Sequence, residues 1–125
     1  MKPFDIKKYY KDFEYPKHYL AALELNLTNF YFWYFMDLLG QDYIKWRIEH
    51  LQKWYPNRKL IPFAKRDDCD DIACFEIGKG DEVQIVDDFA YRGYELETNR
   101  KYESFWAWMK AATEELITNY DDYEP

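Results

Sequence analysis

The sequence predicts an α+β fold, a central antiparallel β-sheet (meander) packed with N-terminal, middle and C-terminal helices. Three observations predict it. Ile44, Ile48, Leu51 and Tyr55 recur at helical spacing, and Phe105, Trp108, Met109, Ala112 and Leu116 do so again near the end of the chain. Between these two stripes lie three short apolar segments joined by tight turns, the pattern of consecutive antiparallel strands. The length, 125 residues, fits one domain over 1–125 that buries roughly two-thirds of its unfolded surface.

Each element follows in order. Residues 1–14 mix charge with aromatics and are expected to form a short helix or an ordered arm. Pro16 suits the first position of a helix. Leu20, Leu23 and Leu27, with Tyr19 beside them, supply its apolar face. Asn26, Thr28 and Asn29 end it in a turn. Residues 30–36 are a run of aromatics closing on Met36, read as a strand buried on both faces, with an exposed partner-binding patch as the alternative. Asp37 is the expected N-cap of the second helix. Trp46 and Trp54 widen or flank that helix's stripe, and Pro56 and Asn57 stop it. Strands are expected over residues 60–64, 71–77 and 82–88, with turns at 67–70 and 78–81. Ala73, Phe75 and Ile77 share one face of the middle strand. Residues 89–100 form a loop containing Gly93. Ser104 caps the last helix, and the acidic, tyrosine-rich tail at 119–125 frays.

Charge narrows the partners. The formal net charge is −7, which disfavours nucleic acid and anionic membrane and suits a basic protein partner or a plain cytoplasmic domain. The N-terminus carries Lys2, Asp5, Lys7 and Lys8 with no apolar core of a signal peptide. The apolar run at 30–36 is far too short to span a bilayer. Cys69 and Cys74 read as free thiols in a reducing cytoplasm.

The sequence offers little catalytic chemistry. Ser104 is the sole serine and has no nucleophile-elbow pattern around it. Glycines 40, 78, 80 and 93 make no phosphate-binding loop. His18 or His50 meeting Cys69 or Cys74 is a weak thiol-catalysis reading. Cys74 lies in a strand, and the carboxylates around Cys69 raise its pKa. The two cysteines and two histidines also lack zinc-knuckle spacing. Asp67, Asp68, Asp70 and Asp71 could hold calcium, but an EF-hand loop needs Gly at its sixth position and Glu at its twelfth. Those places hold Ile72 and Gly78 in one register and Ala73 and Lys79 in the other. The plainer reading is aspartates satisfying backbone N–H groups in a turn, with Lys65 and Arg66 partly offsetting their charge. No feature tunes two of Asp70, Asp71, Asp87 and Asp88 apart for acid–base work. No cofactor and no metal ligand set is expected.

Leu60-Ile61-Pro62-Phe63-Ala64, the turn closing on Asp70-Asp71, and Ile72-Ala73-Cys74-Phe75-Glu76 together form a recognisable pattern. A further strand at 83–89 and a closing helix with the pair Phe105-x-x-Trp108 follow it. Tyr15-Pro16-x-x-Tyr19-Leu20 matches more loosely. In this order the segments resemble the SUKH superfamily (Smi/Knr-like), with Cys69 standing in a turn where the family commonly has glycines. The resemblance implies a mixed α+β fold and a non-enzymatic protein. It suggests an immunity protein that neutralises a cognate bacterial polymorphic toxin, with a nuclease suggested by the acidic charge. The alternatives are a regulatory scaffold of the fungal cell-wall type and a small metal-binding or hydrolase domain built on the Asp-rich turn. A monomer is favoured. The expected partner-binding surface joins Asp67, Asp68, Asp70, Asp71, Asp87 and Asp88 to Tyr91 and Tyr94. The competing reading has the two tyrosines merely covering the end of the sheet.

Overall fold

Five antiparallel strands lie side by side in chain order. They are β1 (Trp33–Phe35), β2 (Leu60–Arg66), β3 (Asp71–Glu76), β4 (Val83–Asp87) and β5 (Lys101–Tyr102). Helices α1 (Lys17–Glu24), α2 (Gln41–Trp54) and α3 (Phe105–Thr118) complete the predicted α+β fold. This computed structural model describes residues 1–87 and 100–119. Asp88, Tyr91 and Tyr94, with most of the loop and tail expected around them, lie outside the described residues.

The middle strands are apolar on both faces because both faces are covered. On one face, Phe63 stacks on Phe75 at 4.5 Å, and Tyr19 of α1 and Phe105 of α3 close over them. On the other, α2 buries Ile44, Ile48 and Leu51, and the Tyr55 hydroxyl donates to the Asp87 carbonyl at 2.8 Å. The strand register slips between Pro62 and Ala64. A bulge there suits a proline, which has no N–H to give a ladder, and β1 pairs only with Ala64, Lys65 and Arg66.

Several boundaries differ from expectation. Pro16 precedes α1 as its cap residue rather than opening it. That helix buries Tyr19, Ala22 and Leu23, leaving Leu20 and Leu27 exposed. Tyr19 takes the inward position because its ring packs on Phe35, Phe63, Phe75 and Phe105. The strand expected over residues 30–36 shrinks to Trp33–Phe35. Tyr31 is left-handed at φ 68°, and Met36 already turns into a 3-10 helix. Asp37 caps nothing, since that 3-10 turn (Met36–Leu39) and Gly40 at φ 95° come before α2. Its buried carboxylate instead accepts from the Tyr19 hydroxyl at 2.8 Å, and burial pushes its pKa up. Ile77 falls just beyond β3, Leu116 is half-buried, and β5 was not foreseen. Residues 1–14 form an ordered arm with one 3-10 turn (Ile6–Lys8), anchored by buried Phe4, Ile6 and Phe13.

Ser104 does cap α3, its hydroxyl accepting from the Ala107 N–H at 3.0 Å. The thiols fall as expected, Cys69 exposed and Cys74 buried. Burial raises both pKa values, with Asp71 and Asp68 adding to the rise at Cys69. In the folded protein at mildly alkaline pH, a thiol reagent should modify Cys69 and leave Cys74 intact until denaturant is added. Mass mapping of the labelled peptides checks this, and equal native labelling of both would contradict the burial of β3.

Candidate functional site

The strand ends decide where charge collects. β2 leaves the sheet at Arg66, residues 67–70 turn, and β3 re-enters at Asp71, directly opposite Asp87 at the end of β4. One end of the sheet therefore gathers Asp67, Asp68, Asp70, Asp71 and Asp87, five of the aspartates expected to act together. Asp67, Asp68 and Asp70 are exposed; Asp71 and Asp87 are half-buried.

Two arginines organise this end. Arg66 Nε and Nη2 donate to the two carboxylate oxygens of Asp68 at 2.6 and 2.9 Å. Its Nη1 and Nη2 also donate to Glu115 of α3, both at 2.9 Å. The same guanidinium lies 5.4 Å from the ring centres of both Phe32 and Trp33. These hydrogen bonds hold the Asp68 carboxyl below its usual pKa. Arg100 makes the matching fork to Asp71, at 2.7 and 2.8 Å. Paired geometry of this kind fixes planes as well as charges. Between the two forks opens a cleft of about 610 Å³ lined by Trp33, Arg66, Asp71, Arg100, Tyr102 and Glu115.

Beside the acidic turn sits an aromatic knuckle. The Phe32 carbonyl accepts from the Asp67 N–H at 2.8 Å, tying the two segments together. Tyr31 and Phe32 meet edge to face at 4.8 Å, and both are half-buried. The left-handed backbone at Tyr31 costs about 1–2 kcal/mol in a residue with a Cβ. The Asn29 side chain, accepting from the Tyr31 N–H at 2.9 Å, helps to hold it there.

This arrangement suits recognition. Asp68 and Asp71 turn toward guanidiniums instead of converging on one point. Among the described residues, no three of His, Cys, Asp and Glu come together as metal ligands. Tyr31 and Phe32 stood outside the expected Asp–Tyr surface because the aromatic run reads first as core, and only the alternative of a partner-binding patch over 30–36 included them. Arg100 and Glu115 were missed because their partners lie 29 and 49 residues away. Asn29 carries the one local signal, since an asparagine side chain can accept from the backbone N–H two residues on. Comparison of the chain with protein-family models, with curated proteins and with solved structures finds no match.

Proposed function

We propose that this chain is a non-enzymatic protein-binding domain, an immunity protein of the SUKH type that neutralises a cognate toxin bearing a basic surface. The observation that carries the reading is the acidic strand-end surface with an aromatic knuckle held in a costly conformation. Backbone strain concentrates where a binding geometry must be kept. Tyr31 and Phe32 offer the rigid aromatic area that anchors interfaces. Asp67, Asp68, Asp70, Asp71, Asp87 and Glu115 outnumber Arg66, Arg100 and Lys101, so the surface keeps excess negative charge. Such charge speeds encounter with a basic partner. A nuclease, whose substrate cleft is basic, is the toxin class this fits. The reducing cytoplasm is the proposed location, where two free thiols persist.

The test is co-expression with the toxin-like product of a neighbouring gene, scored as growth, followed by kinetics on the purified pair. Wild type should restore growth. Tyr31→Ala should speed dissociation about tenfold with the melting temperature nearly unchanged. Asp67→Asn with Asp70→Asn should slow association and flatten its salt dependence. Absence of rescue would overturn the reading. So would a Tyr31→Ala variant that loses stability yet keeps full affinity, because the knuckle would then be structural.

A further inference from the structure

A second surface lies along α1 and α3. The two helices pack against each other. His18, at the start of α1, has its ring 5.9 Å from that of Trp106, at the start of α3. Leu27, just past the end of α1, shares a groove of about 470 Å³ with Met109 and Lys110 further along α3. Phe30, Met109 and the exposed Leu27 and Trp106 give the groove its apolar lining, and Lys110 and Glu114 flank it. Ile117, 68% exposed, continues the stripe, since 106, 110, 113 and 117 fall on one helical face. A contiguous exposed apolar face rimmed by charge marks an interface.

Lys110 and Glu114 show what covers it. Neither has an ion-pair partner among the described residues. They stand one turn apart with lysine first, the weaker order for a pair within one helix. Two antiparallel copies of α3 related by a two-fold axis at the level of Ala112 set Lys110 against the second copy's Glu114, twice over. The same axis brings Trp106 beside the second copy's Ile117, because that pair is centred only about 0.75 Å of helix rise from the level of Ala112. A face whose apolar and charged pairs are centred within a residue of each other is self-complementary, as a two-fold interface requires. Its two charges cancel, so copies of a chain with net charge −7 can meet here without opposing like charges.

We propose that the α1–α3 face is the contact of a homodimer, with a second copy of this chain as its occupant, in place of the monomer favoured from sequence. The acidic end of each copy keeps its own side chains, so the proposal stands apart from the toxin reading. Sedimentation equilibrium of the full chain tests it. Wild type should be dimeric at about 100 µM, and Trp106→Glu monomeric. Lys110→Glu and Glu114→Lys should each weaken the dimer about tenfold, while the two together restore it to near wild type. Both positions and Trp106 are exposed, and an unchanged melting temperature of each diluted monomer confirms that folding is intact. A monomeric wild type at that concentration overturns the proposal. So does a dimer that either charge variant leaves unaltered, or that the double exchange fails to restore. A monomer in which Trp106→Glu abolishes toxin rescue would assign the face to the toxin instead, and also overturns it.

Discussion

Trp108→Ala is expected to destabilise the fold by about 3–5 kcal/mol, while Trp106→Ala, two residues away, should cost less than about 1 kcal/mol. Trp108 is 1% exposed and Trp106 54%. The Trp108 ring packs at 4.9 Å against Phe63, 5.6 Å against Trp33 and 5.7 Å against Phe105. Truncation therefore removes contacts from β1, β2 and α3 at once and leaves a cavity between sheet and helix. The indole N–H carries its own cost, since it is buried with no acceptor among the described residues. Trp108→Phe should accordingly lose much less than the alanine variant. Urea unfolding of the three variants, at dilutions where the chain is monomeric, checks the ranking. A larger loss for Trp106→Ala would mean that α3 is rotated about its axis.

Arg58→Ala is the second large effect, about 2–4 kcal/mol at neutral pH. Arg58 forks onto Glu76 at 3.1 and 2.8 Å, with Lys79 at 3.5 Å, and the Glu76 side chain is 9% exposed. Burial pushes the Glu76 carboxyl up. The Arg58 hydrogen bonds and charge, with Lys79, outweigh it and hold the pKa below the usual value. With the folded pKa lowered, the pair's contribution is present above the unfolded pKa of about 4.3 and is lost as pH falls through the folded value. Removing Arg58 leaves burial dominant and reverses the sign, so the variant suffers most when Glu76 is ionised. The gap between wild type and Arg58→Ala should be widest near neutrality and close as pH falls through the lowered pKa of Glu76. Arg58→Met with Glu76→Leu should recover most of the loss, because two matched apolar groups leave no stranded charge. Stability curves across pH decide it, and a gap independent of pH would remove the ion pair from the account.

Sequence periodicity located α2 and α3 because each has one unbroken apolar stripe, with Ser104 marking the start of the second. It did not register Arg47, a buried cation inside the α2 stripe, since period says nothing of a polar side chain among apolar ones. In α1, leucine spacing set Leu23 inward correctly but also counted Leu20 and Leu27, which are exposed. Tyr19 wins its inward position through four ring contacts made by residues distant in sequence. The aromatic run at 30–36 was half legible: its interior burial was right for Trp33 and Phe35, and the kink at Tyr31 was invisible. At the candidate site, the aspartates were legible as a local cluster. The forks from Arg66 to Glu115 and from Arg100 to Asp71 join segments that only the folded sheet brings together.

The sheet's margins bear on how any partner can be recognised. β1 spans three residues and β5 two. Beyond β1's reach, the outer side of β2 carries Pro62 and the slipped register. Among the described residues, then, the sheet presents little unpaired backbone onto which an extended peptide could add as a further strand. Main-chain templating of that sort accepts many sequences, and it also drives edge-to-edge aggregation. Any partner recognised by a protein with these margins would have to be discriminated by side chains, so that recognition could change by point substitution on the surface while the sheet beneath stays the same.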